Sequence, residues 1–226
     1  MRLRSAATAV LALTVSLATL ACHSESVEHP PIPAPTADLP LATSPGRATV
    51  VFAGGCFWGT QAVFERVKGV IATAAGYSGG TAGTANYADV SAETTDHAES
   101  VEVVYDPSRL TYGQLLRVFF TIHDPTTRNR QGNDEGTSYR SVIFYANDDQ
   151  KRIAEAYIAQ LDAARSWKHK IVTQVVPFKA FYRAEEYHQD FALKNPNNSY
   201  IQVCDRPKIA TLKADYPELY VEYKGH

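Results

Sequence analysis

The chain has 226 residues, of which 45% are hydrophobic and 20% charged, with a formal charge of −2. That length can bury a substantial core without staples, and the near-neutral balance excludes a basic face for nucleic acid. Three cysteines form at most one pair, which excludes a disulfide framework.

Arg2 and Arg4 precede an uncharged, apolar run over residues 6–21. A basic start, a short apolar stretch and small residues before a cut site read as an export signal, too short for a comfortable spanning helix. Its end, Thr19-Leu20-Ala21-Cys22, is similar to the bacterial lipoprotein processing box, in which Cys22 would carry the lipid. An ordinary signal peptide cut nearby is the alternative. Met1, the only methionine, leaves with that segment. Residues 22–47, with Pro30, Pro31, Pro33, Pro35, Pro40 and Pro45, predict an extended linker without a packing face. This divides the chain into a signal peptide (1–21), a linker (22–47) and one domain (48–226).

Within the domain, Thr49-Val50-Val51-Phe52 before Gly54-Gly55 predicts a buried strand. Residues 57–70 carry helical spacing, with Val63, Phe64 and Val67 on one face. Residues 76–86 read as loop. Val101, Val103 and Tyr105 lie on a strand ended by Pro107. Thr111-x-x-Gln114 is a capping-box signature for a helix carrying Leu115, Leu116, Phe119 and Phe120. A loop over 123–137 follows, then a strand at 141–146, a helix over 148–164, a strand at 171–176 and a helix near 183–193. From Asn195 the tail is expected to be mostly irregular. Strands alternating with helices predict a sheet layered with helices.

Cys56 falls between the double glycine and the first helix, where free backbone N–H groups favour an anion. Such placement is expected to lower the thiol pKa and produce a nucleophile. A buried structural cysteine is the alternative. His97 and His188 would suit a Cys–His hydrolase, but histidines on amphipathic segments are more often packing residues. No His-x-x-x-His or Cys-x-x-Cys spacing points to a metal.

Gly55-Cys56-Phe57-Trp58-Gly59 resembles the signature of the A-type peptide methionine sulfoxide reductases. His97-Ala98-Glu99, His123-Asp124-Pro125-Thr126, Arg130-Gln131-Gly132-Asn133-Asp134, Tyr139-Arg140-Ser141 and Glu186-Tyr187-His188-Gln189 extend the resemblance over roughly 48–220. The resemblance implies an α+β fold: a single-domain α/β sandwich of ferredoxin-like type, a mixed sheet with packed helices. It implies Cys56 as the attacking thiol, leaving a sulfenic acid, with Phe57 and Trp58 as the pocket for the substrate methyl. Glu99 matches the proton donor, which requires a raised pKa. Tyr87 and Tyr139 match the phenols that bind the sulfoxide oxygen, and Asp134 a further polar residue. Cys204 would be the resolving cysteine. The substrate would be methionine-S-sulfoxide, free or in protein, and the electron donor a thioredoxin-like dithiol, with no organic cofactor or metal. A monomer is expected, touching a membrane only through a lipid anchor. Two positions depart from the pattern: Asp96 replaces a usual glycine and Gln61 a common acid. The rivals are another thiol enzyme, such as a peroxide reductase or hydrolase, and a surface-anchored binding module with structural cysteines.

Overall fold

The computed structural model describes residues 32–225. Cys22, the signal peptide and the first part of the linker lie outside them.

The elements run in the order β1 (Ala48–Ala53), α1 (Phe57–Phe64), β2 (Val70–Ser78), α2 (Tyr87–Ser91), β3 (Ala98–Tyr105), α3 (Tyr112–Thr121), β4 (Arg130–Gln131), β5 (Asp134–Glu135), β6 (Val142–Tyr145), α4 (Asp148–Ala163), β7 (Gln174–Pro177), β8 (Phe181–Arg183) and α5 (Phe191–Lys194). A π-helical turn (Ile201–Asp205) then leads into α6 (Arg206–Asp215). Six strands form one sheet in the order β7-β6-β1-β3-β2-β8, and β4 pairs with β5 in a separate hairpin. All pairings of the main sheet are antiparallel except the parallel β6–β7 edge. It is the mixed sheet with packed helices that the resemblance implies.

β1 reads as an unbroken apolar run because both of its faces are covered. Val50 and Phe52 join the main core with α1, α3 and α4, whereas Val51 and Ala53 join a smaller cluster with Val142 and Phe144. Phe52 stacks on Phe119 at 4.8 Å between ring centroids. The capping box at the start of α3 forms as predicted, with Thr111 and Gln114 satisfying each other's backbone N–H groups.

Four regions differ from the sequence reading. α1 stops at Phe64 rather than continuing to 70, and the chain from Val70 forms β2. This strand sets three alanines and a glycine, poor strand formers, among Val70, Ile71, Thr73 and Tyr77. Pairing with β3 and β8 on its two sides holds it, and the Gln189 side chain bonds both the N–H and the C=O of Ala75 at 2.9 and 3.0 Å. Instead of a helix over 183–193 there are β8, a 3₁₀ turn and the short α5, because Phe181 and Tyr182 pair with β2. Residues 32–47 do have a packing face. Ile32 is buried in the main core, and its carbonyl accepts from Arg117 of α3 at 2.7 Å. Tyr157 and Gln160 of α4 donate to the carbonyls of Pro33 and Ala34. The Asp38 carboxylate bonds the Thr111 hydroxyl and the Gly113 N–H at the start of α3. Finally, the tail holds regular structure in its middle: α6 docks through the fully buried Leu212, and Tyr216, just past its end, is buried beside it.

Candidate active site

Gly55 adopts φ +87°, a left-handed turn that glycine makes without strain. A side chain there would also meet Gln131 Cγ at 2.5 Å, so the β4–β5 hairpin packs directly on the turn. The chain then enters α1 with Cys56 at the N-cap. Glu99 lies on β3, opposite Tyr77 of β2. Its carboxylate reaches the helix start and accepts the Phe57 N–H at 3.0 Å. Thus a backbone donor at the helix N-terminus is met by the carboxyl beside the thiol.

Burial decides the protonation of both groups. Glu99 is 3% exposed, and loss of water pushes its pKa from 4.5 to about 8, against the lowering effect of the Phe57 N–H. Near neutral pH it therefore carries a proton. The Cys56 thiol is held well above its ordinary range by burial, then by the charges of Glu99 and Asp205. The expectation that helix placement alone lowers this pKa is corrected here: in the resting site desolvation outweighs the helix terminus. The pair holds its protons until something enters to change the balance.

Around them the aromatic residues converge. Trp58 is half-buried, stacked flat on Phe191 at 3.8 Å and edge-on to Tyr200 at 5.9 Å. Its indole N–H donates to His188 Nδ1 at 3.0 Å. Phe57 is buried, 5.0 Å from the His188 ring. Tyr87 heads α2, its ring 4.5 Å from His188 and its N–H on Glu185. Tyr139 ends a 3₁₀ turn anchored by Glu93, whose carboxylate accepts the Ser138 N–H at 3.0 Å. Burial raises the pKa of both phenols, with Glu99 the next cause in each case. They remain neutral hydrogen-bond donors. Asp134, from the hairpin, accepts the Tyr200 hydroxyl. The structure thus gathers Cys56, Phe57, Trp58, Tyr87, Glu99, Asp134 and Tyr139 at one place.

Neither histidine is hydrogen-bonded to Cys56 among the described residues. His97 receives the Gly80 N–H on Nδ1 and faces the Thr81 carbonyl with Nε2. Burial lowers the pKa of His188, and its Nδ1 is taken by Trp58. This arrangement gives no support to the hydrolase reading. Of the two departures, Asp96 is exposed, and Gln61 is buried, accepting the Asp190 N–H at 3.1 Å.

Sequence reasoning missed Tyr200, Asp205 and Lys208, all from the segment it treated as an irregular tail. Pro207 at the first turn of α6 was the available signal of a helix start. Cys204 sits in the π-helical turn, half-buried and not in a disulfide. Its neighbour Asp205 presses on Gly59 of α1, so the turn that carries Cys204 abuts the helix that carries Cys56.

A protected thiol that shares a buried site with a protonated carboxyl and neutral phenols defines a thiol-dependent oxidoreductase. The aromatic lining makes it one for a soft, weakly polar group that bears an oxygen. A sequence model of the family "Peptide methionine sulfoxide reductase" matches residues 48–219. The chain is similar to the peptide methionine sulfoxide reductase MsrA 2 of Synechocystis, with 50% identity over 83% of this chain and 89% of that one. It is similar to an MsrA 2 of Mesorhizobium japonicum, with 54% identity over 79% and 92%. Among solved structures, methionine sulfoxide reductase A of Corynebacterium diphtheriae matches with a TM-score of 0.60 at 34% identity, over 77% of this chain and 90% of that one. Reduced Mxr1 of Saccharomyces cerevisiae matches with a TM-score of 0.62 at 33% identity, over 73% and 97%. The chain belongs to the peptide methionine sulfoxide reductase family, and its activity is the thiol-dependent reduction of methionine sulfoxide.

Proposed function

We propose that the enzyme acts on the S epimer of methionine sulfoxide, in protein or free, with Cys56 as the attacking thiol and Glu99 as the proton donor. The observation that supports this most directly is the Glu99 carboxyl, which accepts the Phe57 N–H at 3.0 Å on the residue next to Cys56. The Cys56 thiol gives up its proton to solvent, its sulfur attacks the sulfoxide sulfur, and Glu99 delivers a proton to the oxygen. As the S–O bond breaks, oxygen passes to Cys56 as a sulfenic acid and methionine leaves. Tyr87 and Tyr139 donate hydrogen bonds to the sulfoxide oxygen, and Trp58 with the rings around it holds the methyl group. Asp134, through Tyr200, ties the tail to the pocket. The Cys204 thiol then condenses with the sulfenic acid, releasing water and forming a disulfide. A thioredoxin-like dithiol reduces that disulfide by exchange, becoming a disulfide itself. The chemistry needs no organic cofactor.

The basic, apolar amino terminus ending at Cys22 supports export and a lipid anchor in a bacterial envelope, with the domain acting as a monomer on oxidised envelope proteins. The loss of its single methionine with the signal suits service in an oxidising compartment. The test assays each sulfoxide diastereomer with dithiothreitol. The S epimer should be reduced by wild type and not by Cys56→Ser. Equal rates on both epimers, or turnover by Cys56→Ser, would overturn the reading.

A further inference from the structure

We propose that Lys208, positioned by Asp205 against the Cys56 face of α1, is the countercharge for the Cys56 thiolate. The proposal rests on Cys56 being a sulfur nucleophile and names the residue that carries its charge. Gly59 is the third residue of α1, one turn beyond Cys56 at its N-cap. A Cβ on Gly59 would lie 2.0 Å from Asp205 Oδ1 and 2.8 Å from Lys208 Nζ. Both charged groups of the tail therefore press on the helix backbone one turn beyond the thiol. The second glycine of the Gly-Cys-Phe-Trp-Gly motif leaves the space they fill.

The pair is costly where it stands. Asp205 is fully buried and the Lys208 side chain 17% exposed, with 3.3 Å between Nζ and Oδ1. Asp205 Oδ2 is buried and accepts no hydrogen bond among the described residues. A buried ion pair with an unfilled acceptor regains less from Coulomb attraction than it loses in desolvation. Stability is thus a poor reason for placing it against the reactive helix.

Electrostatics supply a better one. The charges facing Cys56 are Glu99 from β3 and Asp205 and Lys208 from the tail, and only Lys208 favours the thiolate. Asp134 of the hairpin also acts on Lys208, and the nearby phenols of Tyr87, Tyr139 and Tyr200 are neutral. When Glu99 gives its proton to the substrate it becomes an anion beside the sulfur. A fixed ammonium on the other side offsets that charge as it develops. Asp205 keeps the ammonium in place but opposes the thiolate itself, so the two residues act on Cys56 with opposite sign.

That opposition provides the test. The rate of Cys56 carboxamidomethylation by iodoacetamide is followed between pH 7 and 10.5 in wild type, Lys208→Met and Asp205→Asn. Lys208→Met should move the profile to higher pH by about one unit, slowing alkylation about tenfold at a given pH. Asp205→Asn should move it to lower pH. A merely structural role would move both profiles in the same direction. That result, or a Lys208→Met profile that coincides with wild type, overturns the proposal. To guard against variants that fold poorly, the wild-type chain is also titrated by NMR with carbon-labelled lysine. The Lys208 ε-methylene resonance, assigned with Lys208→Arg, should shift as Cys56 ionises, and that shift should vanish in Cys56→Ser. A resonance indifferent to Cys56 overturns the proposal. Alkylation and NMR need no sulfoxide, so a failure here is distinct from a failure of the sulfoxide reductase reading, which the diastereomer assay reports.

Discussion

Glu99→Gln separates the chemistry of this carboxyl from its cost to the fold. With a pKa of about 8, Glu99 holds a proton in roughly ten molecules for each ionised one at pH 7. Glutamine retains an oxygen for the Phe57 N–H, now accepted at 3.0 Å, but has no proton to transfer. The first turnover should slow by about 10²–10⁴-fold, the usual worth of a positioned general acid, with substrate affinity changed only a few-fold. Stability should respond in the opposite sense. A carboxyl whose folded pKa is raised contributes stability that is fully present below its ordinary value near 4.5. That contribution is lost as pH rises through about 8. At about 1.4 kcal/mol for each tenfold change in the acidity constant, the fold gives up on the order of a few kcal/mol by pH 9, and the glutamine variant does not. Rapid-quench single turnover with a sulfoxide peptide measures the first effect, and urea unfolding at pH 5 and pH 9 the second. A first turnover at wild-type speed would remove Glu99 from the role of acid. A stability difference between variant and wild type that is the same at both pH values would refute the raised pKa.

The tail, the tight helix face and the arm each carry a further prediction. Cys204→Ser should convert one equivalent of sulfoxide and then stall with thioredoxin, while dithiothreitol partly restores turnover; full thioredoxin-supported turnover would return Cys204 to a structural role. Gly59→Ala places a methyl 2.0 Å from Asp205 Oδ1 and should lower stability by about 1–3 kcal/mol through overpacking, read by calorimetry; an unchanged melting temperature would contradict the packing of the tail on α1. Asp38→Ala, remote from the site, leaves the Gly113 N–H and the Thr111 hydroxyl without their acceptor. It should cost about 1–2 kcal/mol in urea unfolding with activity intact, and no loss would mean that the arm adds nothing to the fold.

The fold was most legible where local chemistry and tertiary need agree. β1 declares itself because it is apolar on both faces, and α3 because its capping box and its buried stripe coincide. β2 was not legible, since its start was absorbed into the helix reading and its end into a loop, and the alanines and glycine between them weaken the signal of Val70, Ile71, Thr73 and Tyr77. A helix was expected near 183–193, yet Phe181, Tyr182 and Arg183 pair along the open edge of β2. Proline density hid the packing of residues 32–47: Ile32 is their one buried apolar side chain among the described residues, and the bonds to α3 and α4 run to residues far away in sequence. For the site, the motif residues were found because their chemistry is rare in combination. Tyr200, Asp205 and Lys208 become functional only when α6 docks, and nothing in a local window shows which helix face a distant lysine will meet. The thiol pKa was not legible for the same reason. Helix placement is visible in sequence, whereas burial beside Glu99 and Asp205 is not.

The central claim is that the substrate's oxygen passes to the Cys56 sulfur. Cys204→Ser, which cannot form the internal disulfide, is mixed with one equivalent of methionine-S-sulfoxide in the absence of reductant. Methionine release is then compared with sulfenic acid trapped by a dimedone-type reagent and located by peptide mass spectrometry. One methionine should be released for each trapped sulfenic acid, all of it on Cys56. Methionine released without oxidation of Cys56, or label on another residue, would contradict it.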